Sequence, residues 1–117
     1  MAKEHDLLRR VIKRGSKQKH DWHQVLGAVH RVVTKPTPES EKVLRKILDY
    51  DGEIGLSGRH VPHALTPADM LRSLALQVLA MKDAGRDHPK HRGAIRRLRR
   101  RTSSDLLAEI ARIHLVR

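Results

Sequence analysis

Residues 66–85 read TPADMLRSLALQVLAMKDAG, and this stretch decides the fold. Thr66 is placed to cap the start of a helix, and Pro67 suits the first helical position. Gly85 can adopt the left-handed conformation that closes many helices. Between these ends the apolar side chains point in almost every direction, namely Met70, Leu71, Leu74, Leu76, Val78, Leu79 and Met81. A helix that is apolar on nearly every side is buried, so the stretch predicts a central helix over 66–84.

The composition favours a small helical protein. The chain has 117 residues, which is enough for one domain with its own core. It contains one Trp, one Tyr and no Phe, so the core must be built from aliphatic side chains, which pack helices readily. We expect an all-α fold in a single domain over 1–117. The domain is a compact bundle of five to six helices around the central helix.

Apolar stripes at helical spacing predict the elements around the central helix. Thr37 and Pro38 repeat the Thr-Pro start, and Thr102 with Asp105 forms a further capping signature. The predicted helices are 3–14, 21–34, 38–50, 94–101 and one that begins at Ser103. Residues 51–65 hold three glycines and Pro62, which predicts one longer loop or a small hairpin. A hairpin over 53–61 would resemble the wing of a winged-helix domain, and a packed crossover is the alternative that we favour.

The charge favours a polyanionic partner. The formal net charge is +12, from 25 Lys and Arg against 13 Asp and Glu. Such a charge favours nucleic acid over other intracellular partners. The chain has no cysteine, which excludes disulfides, thiolate metal sites and thiol nucleophiles. No apolar run has the length of a membrane span, and the first residues lack a secretory signal. We therefore expect a cytoplasmic protein with no membrane partner.

The strongest functional signal is an Arg-rich segment over 86–101, which combines a turn and a helix. Its single acid is Asp87. Guanidinium groups fit phosphates bidentately, so this composition favours phosphate contacts. The candidate nucleic-acid-binding residues are Arg86, Lys90, Arg92, Arg96, Arg97, Arg99, Arg100 and Arg101, with a second strip at Lys13, Arg14, Lys17 and Lys19. The alternative is a solvated basic face, or arginines that pair with Asp49, Asp51 and Glu53.

Few aromatic side chains are available for stacking on single-stranded bases, so a duplex is the expected target. DNA is favoured and RNA stays open. A helix-turn-helix over 21–34 and 38–50 is a further possibility, although Glu39 and Glu41 begin its second helix and oppose docking on phosphates. Three H-x-x-H pairs raise a metal hypothesis, namely His20/His23, His60/His63 and His88/His91. The last pair is more simply an extension of the arginine patch, and we expect no metal site.

Catalytic motifs are absent from the sequence. GEIGLSG lacks the Lys and Ser or Thr of a phosphate-binding loop, and Asp49, Asp51 and Glu53 are more typical of a solvated helix end than of a magnesium site. The sequence therefore predicts a non-enzymatic duplex DNA-binding protein that needs no cofactor and acts in transcription regulation or genome organisation. A homodimer stays open. The alternatives are a helical adaptor or inhibitor that docks an acidic protein, and an RNA- or ribosome-associated protein.

Overall fold

The structure is a computed structural model, and it describes residues 2–35, 37–57 and 65–116. Over these residues the chain forms six α-helices and two short strands, which confirms the predicted all-α bundle. The helices are α1 (Ala2–Arg14), α2 (Trp22–Thr34), α3 (Pro38–Asp49), α4 (Pro67–Ala84), α5 (Arg92–Arg101) and α6 (Asp105–Leu115). The strands are β1 (Lys19–Asp21) and β2 (Gly55–Ser57). No helix in these ranges is long and apolar enough to cross a bilayer.

The Thr-Pro device starts two helices as predicted. In α4 the Thr66 hydroxyl accepts from the Asp69 amide at 3.1 Å, and Pro67 is the first helical residue. In α3 the Thr37 hydroxyl accepts from the Ser40 amide at 3.1 Å. Each hydroxyl satisfies an amide that has no partner within its helix, so the local sequence alone sets where these helices begin.

Two predicted details at the ends of helices are wrong. Helix α6 begins at Asp105 rather than Ser103, because Ser104 is its cap and accepts from the Leu107 amide at 3.1 Å. Gly85 is not left-handed, with φ of −95°. The left-handed glycine is Gly15, with φ of 57°, where a Cβ would lie 2.8 Å from the Tyr50 hydroxyl. A close approach thus adds to the conformational need for glycine after α1.

The hairpin over 53–61, the less favoured of the two alternatives for this segment, is wrong where the structure describes it. Strand β2 pairs with β1 in parallel, with His20 opposite Leu56, so the chain returns to β1 only after α2 and α3. The packed crossover is the better description of this part. Gly55 permits the pairing, because a Cβ there would lie 2.8 Å from the Gln18 carbonyl oxygen. Residues 58–64 of the predicted loop lie outside the described ranges.

Helix α4 is the central strut, and its principal neighbours are α3, α6 and α5. Its buried apolar side chains include Leu71, Leu76 and Leu79. Arg72 also lies in the interior, at 6% exposure. Its burial is tolerated because Nε, Nη1 and Nη2 each donate to an acceptor. Its Nε donates to the Tyr50 carbonyl at 2.7 Å, and its Nη1 pairs with Asp69 at 2.6 Å. Arg72 thereby ties α4 to the end of α3.

Candidate nucleic-acid interface

Helix α5 carries the arginines that the sequence singled out. It begins at Arg92, two residues before the predicted start at Ala94, and residues 86–91 form the turn that precedes it. Ala94, Ile95 and Leu98 are buried against the bundle. Three apolar residues at this spacing are enough to dock one face of a short helix. The opposite face is therefore fixed in solvent, and it presents Arg96, Arg97, Arg99 and Arg100.

These four exposed arginines are not held by carboxylates. Across the described part of the chain, no acidic oxygen lies within ion-pair distance of any of them. Arg99 lies toward α6, where the pKa of Glu109 is lowered first by its hydrogen bond to Arg112 and also by the charge of Arg99. The remaining three side chains, those of Arg96, Arg97 and Arg100, form what we call the outer arginine face.

The two arginines at the ends of α5 donate to backbone carbonyls of other helices instead, although Arg101 is itself exposed. Arg101 donates from Nη2 to the Leu48 carbonyl at 2.6 Å, at the C-terminal end of α3. Arg92 donates to the Leu115 carbonyl at the end of α6. A guanidinium at a helix C-terminus satisfies carbonyls that lack partners within that helix and complements the helix dipole. Both residues act as interhelix ties, and we remove them from the predicted contact set.

Arg86 is likewise engaged within the fold. Its Nη1 and Nη2 form a bidentate pair with Glu41 of α3, at 2.7 and 3.0 Å, and Nη1 lies 3.3 Å from Asp83 of α4. The pKa of Glu41 falls to about 2, chiefly because of the hydrogen bond from Arg86 and also because of its contact with His91. Bidentate pairs of this kind are the stronger class of charged contact. Arg86 therefore joins α3 to the turn before α5.

Asp83 fixes the backbone of that turn. Its carboxylate accepts from the amide of Lys90 at 2.9 Å and from the amide of His91 at 2.7 Å. These amides precede the first turn of α5, where an aspartate from another helix supplies the cap that His91 itself does not provide. Asp83 is 8% exposed, so its charge is neutralised mainly by these donors and by Arg86. The start of α5 is thus tied to the end of α4.

His91 completes this cluster, and its predicted place in the arginine patch is wrong. It is 5% exposed and contacts Glu41 through Nε2 at 2.5 Å. The guanidinium of Arg45 lies 3.1 Å from its Nδ1. Because arginine can only donate, Nδ1 is the acceptor and Nε2 carries the hydrogen. We call Glu41, Arg45, Asp83, Arg86 and His91 the anchoring cluster. His88, by contrast, is exposed.

The second predicted strip lies at the end of α1 and beyond it. Lys13, Arg14, Lys17 and Lys19 are all exposed. Tyr50 brings this strip to the same end of the bundle as the last turn of α5. Gly15 packs against the Tyr50 hydroxyl, and Arg101 lies 3.5 Å from the Tyr50 carbonyl oxygen. One residue of each basic segment, Gly15 and Arg101, therefore lies against Tyr50.

The structure also bears on the alternative sites. Helix α2 packs mainly on α1, whereas α3 packs mainly on α4, so 21–34 and 38–50 do not form the packed pair of a helix-turn-helix. Within the described ranges no group of three His, Asp or Glu residues is arranged to hold a metal ion. The pair His60/His63 lies outside those ranges. Asp49 is paired with Arg45 at 3.0 Å, whereas Asp51 and Glu53 are exposed.

No family model, curated protein or solved structure matches this chain. The function is therefore inferred from the geometry and charge of the site itself.

Proposed function

We propose that this protein binds duplex nucleic acid, with DNA as the favoured target, through phosphate contacts from the outer arginine face of α5. It acts without catalysis, in transcription regulation or genome organisation. The contacts are Arg96, Arg97 and Arg100, with Arg99 beside them. Lys13, Arg14, Lys17 and Lys19 give a second strip at the same end of the bundle.

One observation carries this proposal. The outer arginine face is exposed and lacks carboxylate partners within the described chain, while the neighbouring Arg86, Arg92 and Arg101 are consumed by contacts that hold the fold. Arg86, Arg92 and Arg101 therefore have a structural role in the bundle, whereas the described contacts give none to the outer arginine face. Like charges one helical turn apart repel each other. An anionic partner relieves that repulsion, and a phosphate accepts the planar guanidinium in bidentate fashion.

The contacts that hold both ends of α5 support the same proposal. The helix is held at its start by Asp83 and at its end by the contact of Arg101 with Leu48. Its backbone therefore needs no ordering when a ligand binds, so less of the interaction free energy is lost to conformational entropy. A preorganised basic helix suits backbone contacts to a duplex, which position a protein without reading sequence.

The test compares two triple variants of equal charge change. The first is R96Q/R97Q/R100Q. The control is R10Q/R31Q/R112Q, whose residues are exposed and lie on α1, α2 and α6. Affinity for a fluorescent DNA duplex is measured across a salt series. Each lost phosphate contact makes the slope of log affinity against log salt shallower by about 0.9, so the first variant should lose about 3 from its slope.

Equal slopes for the two variants would contradict the proposal, because net charge alone would then explain the binding. An RNA duplex of equal length, measured in parallel, separates DNA from RNA. Weak binding to both duplexes at 0.15 M salt, together with saturable binding to an acidic protein at fixed stoichiometry, would favour the adaptor alternative.

A further inference from the structure

Helices α3 and α5 are parallel neighbours. At their N-terminal ends, His91 contacts Glu41 and Arg45. At their C-terminal ends, Arg101 contacts the Leu48 carbonyl. The two helices therefore run in the same direction side by side, and packed helices have axes about 8–10 Å apart. The solvent-facing side of α3 consequently adjoins the outer arginine face.

The solvent-facing side of α3 is basic. Lys42 and Lys46 are exposed one turn apart, and Lys90 is exposed at the turn before α5. Together with Arg45 and His91 they line an open depression of about 470 Å3 between α3 and that turn. Glu41, Arg45 and His91 of the anchoring cluster also line this depression, so its wall includes side chains that are held by contacts within the fold.

The acids of α3 do not oppose an anion here, contrary to what its sequence suggests. Glu41 is bound by Arg86, and Asp49 is bound by Arg45 at 3.0 Å. Glu39 is paired with Arg9 of α1. Each carboxylate is thus matched by a guanidinium from within the fold. The two lysines of α3 have no such match, since no ion pair in the described ranges includes them.

We infer that Lys42 and Lys46 of α3, together with Lys90, form a second row of phosphate contacts parallel to the outer arginine face, and that one nucleic-acid duplex spans both rows. This inference rests on the proposed function and adds a surface that the arginine segment alone does not predict. Lys42 and Lys46 are separated by about 6 Å along the helix axis, which is close to two nucleotide steps of about 3.4 Å. Lysine heads on flexible stems reach phosphates without demanding one geometry.

The experiment uses two double variants of equal charge change. K42Q/K46Q removes the row on α3. K3Q/K35Q is the control, and its exposed lysines lie at the start of α1 and the end of α2, outside the depression. The probe is the same DNA duplex in the same salt series. The slope should become shallower by about 2 for K42Q/K46Q, and affinity at 0.15 M salt should fall several-fold more than in the control.

The outcome for R96Q/R97Q/R100Q separates failure of this inference from failure of the proposed function. If the arginine variant loses slope while K42Q/K46Q matches its control, binding by α5 stands and the second row is overturned. If neither variant differs from its control, both proposals are overturned. Loss of slope in both variants, with unchanged unfolding midpoints, is the expected result.

Discussion

The sixteen residues 86–101 contain two groups of arginines with different roles. Arg86, Arg92 and Arg101 bind carboxylates and carbonyls on α3, α4 and α6. The outer arginine face of α5 binds no acidic group in the described chain. The side chains are chemically identical, so their roles are set by what the fold places opposite them. A basic segment therefore cannot be treated as one functional unit.

Arg86, Arg92 and Arg101 are tolerated within the fold because of these contacts. A buried or half-buried guanidinium is costly unless its donors are satisfied. The anchoring cluster satisfies Arg86 with two carboxylates, and helix C-termini satisfy Arg92 and Arg101. Removing a group that holds Arg86, Arg92 or Arg101, or one of these arginines itself, should therefore lower stability. Removing an arginine of the outer arginine face should weaken only binding. The following predictions test that division in order of expected effect.

Asp83→Ala should cost the most. It leaves the amides of Lys90 and His91 without an acceptor and removes one carboxylate from Arg86. Loss of partners for buried donors and charges costs about 3 to 4 kcal/mol in the free energy of unfolding. Urea denaturation measures this loss. Asp87→Ala in the same turn is the matched control, since Asp87 is exposed. Equal midpoints for the two variants would show that the anchoring cluster does not hold α5.

Acid should weaken the anchoring cluster through Glu41. Its pKa in the folded state is about 2, below the ordinary value of 4.5, so its stabilisation is complete above pH 4.5 and is lost as pH falls toward 2. By linkage, a shift of this size corresponds to about 3 kcal/mol. Urea unfolding of wild type and Glu41→Gln from pH 7 down to pH 2 measures it. The stability gap between the two proteins should shrink across that window, and a constant gap would contradict the assignment.

Arg101→Gln should have a smaller effect. It removes the hydrogen bond that the charged Arg101 donates to the Leu48 carbonyl, and Arg101 is an exposed residue. We expect a loss of about 1 kcal/mol in the free energy of unfolding. Arg100→Gln, its exposed neighbour, is the control for charge. If Arg100→Gln destabilised the protein as much, Arg101 would not be distinct from the outer arginine face.

The triple variant R96Q/R97Q/R100Q should leave stability unchanged within about 0.5 kcal/mol, because exposed substitutions away from buried contacts have small effects. Relief of repulsion along α5 should offset any loss. Thermal and urea unfolding at low salt measure this. A destabilisation comparable to that of Asp83→Ala would show that these arginines are structural after all.

The local sequence predicted much of the fold, because helix starts are set by local chemistry. The hydroxyls of Thr37 and Thr66 accept from the amides three residues later. Such caps can be recognised from a few neighbouring residues of the sequence. The β1–β2 pairing was missed because each strand has only three residues, and pairing them requires close approach of distant segments at Gly55. Short strands carry too few residues to show an alternating pattern.

The site was predicted in part, for a related reason. Composition located the basic helix, but the direction of each arginine depends on acceptors that lie far away in sequence. Glu41 is 45 residues from Arg86, and Leu48 is 53 residues from Arg101. The sequence alone could not show that Glu41 is bound by Arg86 within the fold. Because Arg86 binds Glu41, the charge of this carboxylate does not oppose an anion beside Lys42 and Lys46 of α3.

The most direct test of the central claim is the salt dependence of binding to a DNA duplex by the wild-type protein. About six phosphate contacts from the two rows predict a slope of log affinity against log salt of about −5, with sub-micromolar affinity remaining at 0.15 M salt. Binding to DNA and RNA duplexes that vanishes by 0.15 M salt would contradict the claim. The exposed basic rows would then be a solvated surface with no nucleic-acid partner.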